Sequence, residues 1–446
     1  MGIIPVALII VYLAMFKLDL LLLITAFLTP LSVNLEKIGL GFGLILPTEP
    51  ILFGILLIVL LKTFYEGLHD NTIMRTPVFW IVLLQLLWIF FTALTSSMPL
   101  VSLKFLTARL WFVVPFFFLA FYLFKDEKNI RRYFWLYIFG MTAVVVYTIL
   151  HHAQFNFGKQ PAHWVMWPFF KDHTGYGAIL AFIIPVLIGL VKTAKVSREL
   201  KWLQMILVGL FLVALVLSYT RAAWLSLIGA AGVYVLVLLK IRFRTLVLTA
   251  ISALALFFMV KDELFMKLQK NKQDSSEEFS EHIQSMSNIN TDASNLERIN
   301  RWMSAWRMWK DRPLVGFGPG TYQFQYAPYQ HPNEKTVIST NNADMGNAHS
   351  EYLGPLSESG LPGMLLVITL VSVVLWRGFR TYHRLPEGFY KTMTLSLLLA
   401  LITYFLHGFL NNFLDVDKAS ALVWASIAAL AAMELYHLPR VVGGEE

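Results

Sequence analysis

Three positively charged or titratable side chains stand at positions of this sequence where they could do chemistry. Arg221 lies between two apolar segments, Arg298 lies in a long polar stretch, and His349 precedes a predicted helix. Guanidinium groups stay charged and bind phosphates bidentately. A histidine at a helix N-terminus is held neutral, so it can accept a proton near pH 7. These residues predict a site in which arginines hold a pyrophosphate and stabilise its developing charge without a metal, while the histidine deprotonates an attacking hydroxyl.

Each of these three residues also has a structural interpretation. An arginine at membrane depth is costly and therefore usually paired or functional, but Arg221 could instead snorkel to the membrane interface. Arg298 could be a solvated or headgroup-binding charge, and His349 could cap or pack against a helix. The pattern favours the chemical interpretation, because several arginines and one histidine are expected to converge on one face of the membrane.

Further residues are candidates for substrate binding. A compact polar group opens the apolar segment 174–191, where a helix cap is the structural alternative. Two polar residues flank the histidine and could orient it or bind a sugar hydroxyl. An arginine near the external end of the segment 105–124 could face the same cavity, and a tryptophan of the polar stretch completes the set. These candidates are Lys171, Asp172, His173, Asn347, Glu351, Arg109 and Trp302.

No metal site and no cofactor are predicted. Asp415 and Asp417 form an Asp-x-Asp pair, which can hold a divalent cation, but two acidic residues in a loop are more simply explained as a solvated turn. Cysteine is absent, which excludes disulfides, thiolate metal sites and cysteine nucleophiles.

The composition is that of a membrane protein. Of the 446 residues, 57% are hydrophobic and only 14% are charged, and the mean hydropathy is +0.62. A soluble domain of this size does not need so much apolar surface, so we expect an all-α, polytopic membrane protein. The net charge of +8 does not require a nucleic-acid partner, because the basic residues lie mainly in short loops. The N-terminus lacks the features of a cleaved signal and is predicted to be the first membrane segment.

The chain contains about thirteen apolar segments that meet the length expected of a membrane span. The first two are short and are separated by Lys17 and Asp19, so we expect about 12–13 transmembrane helices. The segments lie near 3–16, 20–33, 44–61, 78–95, 105–124, 133–150, 174–191, 202–219, 222–239, 245–260, 361–376, 392–410 and 419–437.

The distribution of lysine and arginine predicts the orientation. Four basic loops, near 125–132, 192–201, 240–244 and 377–384, fall on one side by counting crossings. That side is therefore expected to be cytoplasmic. The opposite side receives a loop of roughly a hundred residues between the helices 245–260 and 361–376, whose polar part 270–292 is expected to be mobile. The expected organisation is N-terminal helices over 1–260, an external loop with the candidate catalytic residues over 261–360, and C-terminal helices over 361–446.

The long loop is predicted to contain an amphipathic helix. Ser294 and Glu297 have the spacing of a capping box, and Pro313 ends the helix. Six apolar residues, three of them tryptophans, fall on one arc at ~100° per residue, which suits a helix lying at a membrane surface. These residues are Leu296, Ile299, Trp302, Met303, Trp306 and Trp309.

Taken in order, the motifs resemble the O-antigen ligase and polymerase superfamily. The resemblance covers the chain from about 105 onward and is strongest over 171–230 and 298–365. The motifs are Asp172-His173-Thr174, Ser-Tyr-Thr-Arg221, the run from Arg298 through Trp302 to Pro313-Leu-x-Gly-x-Gly-x-Gly320, Gly346-Asn347-Ala348-His349-Ser350-Glu351-Tyr352-Leu353 and Glu358-Ser359-Gly360-x-x-Gly363.

The resemblance implies a metal-independent glycosyltransferase at the periplasmic face of a bacterial inner membrane. The donor would be a glycan on undecaprenyl pyrophosphate. The acceptor would be the lipid A–core oligosaccharide in a ligase, which we place ahead of the alternative, another lipid-linked glycan in a polymerase. Related enzymes transfer the glycan to protein. Carried over to this chain, Arg221 and Arg298 would hold the pyrophosphate, and His349 would activate or position the acceptor hydroxyl.

Two other classes compete with a transferase. A transporter of an anion or a lipid-linked glycan would favour internal repeats and broken helices near the membrane centre, whereas this sequence has no convincing repeat and gathers its polar residues at one face. A non-catalytic scaffold would tolerate changes of Arg221, Arg298 and His349. The sequence does not distinguish ligase from polymerase, nor does it identify the sugar, the acceptor or the oligomeric state.

Overall fold

Helices dominate the fold. The computed structural model describes residues 3–35, 44–67, 70–240, 248, 252, 293–336, 339 and 346–439, with side chains of 3–9 and 293–295 left aside. Helix accounts for 76% of the structure, and ten of the described helices are long and apolar enough to cross a membrane. The predicted all-α, polytopic architecture is therefore confirmed.

The helices are numbered here in chain order. They are α1 Ile3–Phe16, α2 Leu18–Leu28, α3 Thr48–Glu66, α4 Pro77–Leu94, α5 Pro99–Leu123, α6 Glu127–Ala153, α7 His173–Lys192, α8 Arg198–Leu217, α9 Arg221–Leu238, α10 Ala293–Asp311, α11 Tyr322–Gln325, α12 Leu353–Arg384, α13 Phe389–His407 and α14 Asp417–His437. A two-stranded antiparallel ribbon, β1 Val33–Asn34 and β2 Ile45–Leu46, pairs Val33 with Leu46.

Ten of the predicted apolar segments coincide with the candidate membrane-spanning helices α3–α9 and α12–α14. The first two segments form α1 and α2, with 14 and 11 residues, which are too short to span a bilayer unaided. The predicted helix 245–260 and the polar stretch 270–292 lie outside the described residues. The expected 12–13 transmembrane helices therefore comprise ten described candidates, two short helices and one segment without a structural description.

Two of the basic loops, near 125–132 and 377–384, lie at the ends of helices away from His349. Lys125 follows α5, and its carbonyl contacts His437 at the end of α14 at 2.9 Å. Near the end of α12, Arg377 pairs with Glu434 of α14 at 2.6 Å. The ends of α5, α12 and α14 therefore meet on one side of the bundle, as the charge distribution predicts.

Helix α7 occupies the centre of the bundle, between α9 and α13. Two glycines permit its close approach to these neighbours. A Cβ at Gly177 would lie 2.7 Å from the Thr220 Cβ, at the start of α9, and one at Gly189 would lie 2.2 Å from the Ser396 Oγ of α13. Because α7 is held on both flanks, its first residues are fixed relative to the starts and ends of its neighbours.

The predicted amphipathic helix is α10, and it ends at Asp311, two residues before Pro313. The first part of its buried stripe is polar, because Glu297, Asn300, Arg301 and Ser304 are buried, whereas Trp306 is 41% exposed. The polar groups satisfy one another, because the Glu297 carboxylate accepts from Arg301 Nε at 2.8 Å and Asn300 donates to Gln330 at 2.9 Å. The Glu297 carboxylate therefore serves this buried network, and the tryptophan-bearing arc remains partly exposed, as a membrane-surface helix requires.

The glycine-rich turn after α10 docks on the start of α12. Gly316 has a φ of 65°, and a Cβ there would lie 2.3 Å from the backbone carbon of Glu358. Phe317 and Gly318 donate their amides to the carbonyls of Ser357 and Glu358 at 3.0 and 2.8 Å. The turn thus joins the helix that carries Arg298 to the helix that follows His349.

Gly316→Ala should destabilise the protein by about 2–4 kcal/mol, because the left-handed backbone alone costs an alanine about 1–2 kcal/mol and backbone atoms crowd the new methyl group. Thermal unfolding of the detergent-purified protein measures this. Gly232→Ala in α9 is the matched control, since nothing lies within 4 Å of its added Cβ and alanine favours a helix. Equal stability of the two variants would contradict the docking role of the turn.

Candidate active site

His349 sits in the turn that leads into α12, and its backbone is held in an unusual conformation. Its φ is 47°, a left-handed value that costs energy for a residue other than glycine. The Asn347 Oδ1 accepts from the His349 amide at 3.0 Å, and Trp302 Nε1 donates to the His349 carbonyl at 3.3 Å. Ser350 Oγ accepts from the amides of Tyr352 and Leu353, both at 3.3 Å, and so caps α12. Asn347 and Trp302 therefore position His349.

The imidazole of His349 is neutral at pH 7. Burial, and then the positive charges of Arg301 and Arg298, together lower the pKa of His349 to about 4. The sequence predicts the neutral form from the helix N-terminus. In the structure, burial and two neighbouring arginines are the leading causes of the lowered pKa.

Arg298 lies among three histidines. Its charge acts on His173 at the start of α7, on His349 before α12 and on His407 at the end of α13. Asp172 acts on the same three histidines. The structure thus brings together predicted residues from three separate regions of the chain around one guanidinium.

Arg301 is a contributor that the sequence analysis did not include in the site. Its Nε donates to Glu297 at 2.8 Å, its Nη1 donates to the Asn347 carbonyl at 3.2 Å, and its guanidinium lies 5.1 Å from the centroid of the Tyr326 ring. A Cβ at Gly346 would lie 1.5 Å from Arg301 Nη1. Arg301 therefore anchors the turn that carries His349. The Glu-x-x-x-Arg spacing of an i,i+4 pair was the available signal.

Residues of the predicted polar group at the start of α7 both cap that helix and line a cavity. Asp172 Oδ1 accepts from the amides of Thr174 and Gly175 at 2.9 and 3.0 Å. Asp172 therefore forms the helix cap that was the structural alternative for this group. Asp172 and Lys171 also line a cavity. The His173 ring packs 4.1 Å from the His163 ring, and its buried Nδ1 has no hydrogen-bond partner among the described residues.

Arg221 is the first residue of α9 and is half-buried. Tyr219, two residues before Arg221, has a φ of 50°, so a second left-handed residue lies close in sequence to a predicted catalytic position. Thr220 Oγ1 donates to the His173 carbonyl at 2.8 Å. The turn before Arg221 is therefore fixed against the start of α7, next to His173, on which the charge of Arg298 acts.

Arg109 and Glu351 hold the loop between α13 and α14. Arg109 pairs with Asp415 at 2.6 Å. The Glu351 carboxylate accepts from the amides of Phe413 and Leu414 at 2.8 and 2.9 Å, and burial raises the pKa of Glu351. Both residues line a smaller, separate cavity of about 80 Å³. Their contacts indicate a positioning role for these two predicted substrate-binding residues.

A cavity of about 320 Å³ opens beside His349. Its predicted lining residues are Lys171, Asp172, Asn347 and His349. Lining residues that were not predicted from the sequence include neutral amides, aromatic rings and one buried lysine: Asn411, Asn412, Trp167, Phe169, Phe170, Phe413 and Lys418. Single amides and aromatic residues in loops have no diagnostic spacing, so only the fold reveals their proximity.

The match with a known family falls on this region. Residues 206–368 match the Wzy_C family model, described as O-Antigen ligase. The matched range includes Arg221, Arg298 and His349. No curated protein matches the chain. The predicted resemblance to the O-antigen ligase and polymerase superfamily is thereby confirmed, as is the general activity class of an O-antigen ligase or polymerase.

Proposed function

Because residues 206–368 match the O-antigen ligase family, we propose that this protein is a metal-independent, inverting glycosyltransferase at the periplasmic face of a bacterial inner membrane. It would transfer a glycan from undecaprenyl pyrophosphate to a hydroxyl of the lipid A–core oligosaccharide. The observation that carries the proposal is that the charges of Arg298 and Asp172 act on a neutral His349, which lines one cavity together with Asp172. The end of the bundle that bears this site is opposite the basic loops, which supports a periplasmic location.

In the proposed reaction, the acceptor oxygen attacks the anomeric carbon of the donor as the bond from that carbon to the pyrophosphate oxygen breaks. His349 takes the proton of the acceptor hydroxyl and becomes imidazolium. The departing undecaprenyl pyrophosphate gains a negative charge, which Arg298 and Arg221 stabilise. A single displacement inverts the anomeric configuration, and no residue need become covalently attached to the sugar.

The low pKa of His349 fits this role once the donor is bound. A base with a pKa of about 4 is weak, because burial and two arginine charges oppose its protonation. A pyrophosphate placed at Arg298 offsets part of that positive charge and thereby raises the pKa of His349. The donor itself would then activate the base, and the imidazole would stay a weak base until the donor is bound.

The proposed organisation follows from this chemistry. The stretch 261–360 would supply Arg298 and His349 from the periplasmic side, the helices within 1–260 would supply Arg221 and the 171–173 group, and those within 361–446 would supply the loop that completes the cavity. Membrane lipids surround the assembly, and the donor reaches the site from the outer leaflet.

A transfer assay with purified protein tests the proposal. It contains an undecaprenyl-pyrophosphate-linked glycan, with or without lipid A–core acceptor, in the presence of EDTA. We expect glycan transfer to lipid A–core that survives chelation and yields the inverted linkage. Longer lipid-linked chains without the acceptor would identify a polymerase instead. Retention of the anomeric configuration would exclude the single displacement, and the absence of either product from folded protein would favour transport.

A further inference from the structure

Two adjacent asparagines line the cavity beside His349 and retain hydrogen-bonding capacity. The Asn411 amide lies 3.0 Å from Nε2 of His407, and both side chains are buried. This contact uses one of the four hydrogen-bonding positions of the amide. Within the part of the chain that the structure describes, the buried Oδ1 of Asn412 has no hydrogen-bond partner. A buried amide oxygen without a donor is unfavourable. Because Asn412 lines the cavity, a ligand there could supply the donor once the amide turns toward it.

The loop that carries the two asparagines is fixed before any ligand arrives. Arg109 holds Asp415 at 2.6 Å, and Glu351 accepts from the amides of Phe413 and Leu414. These contacts come from α5 and from the turn after His349, two elements outside the loop. A wall held in this way binds with little ordering cost.

The same cavity also has aromatic lining residues. Trp167, Phe169 and Phe170 line the cavity, and Trp167 is 43% exposed. Aromatic faces cover apolar C–H surfaces, while amide groups exchange hydrogen bonds with hydroxyls. A cavity that combines both suits a ligand with a ring of hydroxyls around an apolar face, which describes a saccharide.

We propose that the Asn411–Asn412 wall and Trp167 form a saccharide-binding subsite that recognises free hydroxyls of the sugar next to the reacting centre. This inference rests on the proposed function, because it places that sugar beside His349. His407 is a positioning residue that fixes the Asn411 amide. The sugar belongs either to the donor glycan or to the acceptor, and the same hydroxyl chemistry serves both.

Isothermal titration calorimetry on the purified full-length protein tests the subsite without requiring turnover. One arm uses the soluble oligosaccharide released from the lipid-linked donor, and the other uses core oligosaccharide released from lipid A. Asn412→Ala should weaken binding in one arm by about tenfold, and the affected arm identifies the source of the sugar. Asn412→Asp keeps an acceptor and should bind better than Asn412→Ala.

Asn129→Ala is the matched control, because Asn129 is half-buried and donates to the Leu123 carbonyl at 3.1 Å at the other end of the bundle. Unchanged binding in a folded Asn412→Ala, together with unchanged binding in Asn411→Ala, would overturn the subsite, as would an absence of binding to the wild type. Asparagine-dependent binding without any transfer would uphold the subsite and refute the proposed function. Normal transfer without asparagine-dependent binding would do the reverse.

Discussion

His349→Ala should lower the rate of glycan transfer by about 10²–10⁴-fold, the range expected for loss of a general base, with little change in the fold. His349 lines the cavity, and its hydrogen bonds to Asn347 and Trp302 use its backbone amide and carbonyl. The side chain can therefore be removed without releasing the turn. Single-turnover transfer by the purified variant, with its unfolding temperature measured in parallel, checks both parts.

His331→Ala is the matched control, since His331 is an exposed histidine of the same polar stretch and should leave transfer unchanged. His349→Gln keeps hydrogen-bonding capacity without an equivalent base, so it should be nearly as slow as His349→Ala. Full activity in His349→Gln would show that the imidazole only positions the acceptor.

The pH profile provides a second test of the same residue. Protonation removes the base, so activity is lost as the pH falls through the pKa of His349. That pKa is about 4 in the free protein, and a bound pyrophosphate raises it. The acid limb of kcat, which reports the substrate complex, should therefore lie at higher pH than the acid limb of kcat/KM, which reports free enzyme. The reverse order would contradict activation of His349 by the donor.

The membrane-spanning elements were predictable because each needs its own run of about twenty apolar residues. Segments such as 174–191 and 419–437 correspond to helices His173–Lys192 and Asp417–His437. The packing of α10 was not predictable in the same way. Its buried stripe carries Glu297 and Arg301. Charged residues are buried only where partners satisfy them, so their burial can be predicted only when those partners are known.

Residues with unusual local chemistry were the predictable part of the site. His349, Arg298 and Asp172 come together in the structure as the sequence suggests. Arg109 and Glu351 have equally suggestive residue types, but their side chains bind the loop that carries Asn411 and Asn412. Which way a side chain points depends on the neighbours of its helix, and that information is not contained in a single stretch of sequence.

Arg298→Ala should lower kcat/KM for transfer by about 10²–10³-fold, the loss typical of removing a group that stabilises developing charge. Its guanidinium acts on His173, His349 and His407, so it sits where a pyrophosphate would be shared between α7 and the turn before α12. Arg298→Lys should recover only part of the activity, because an ammonium group cannot replace a bidentate fork. Steady-state kinetics with the lipid-linked donor measures both variants.

Two other arginines of α10, Arg307 and Arg301, serve as controls that distinguish a loss of catalysis from a loss of stability. Arg307 bonds to the Tyr329 carbonyl at 2.8 Å and pairs with Glu334, so Arg307→Ala should retain transfer. Arg301→Ala leaves the buried Glu297 without its ionic partner and should cost about 3–5 kcal/mol of stability. Arg298→Ala should stay folded, and because the Arg298 charge lowers the pKa of His349, the acid limb of its residual kcat/KM should move to higher pH. A slow Arg298→Ala variant with an unmoved acid limb would mean that Arg298 binds the donor without influencing His349.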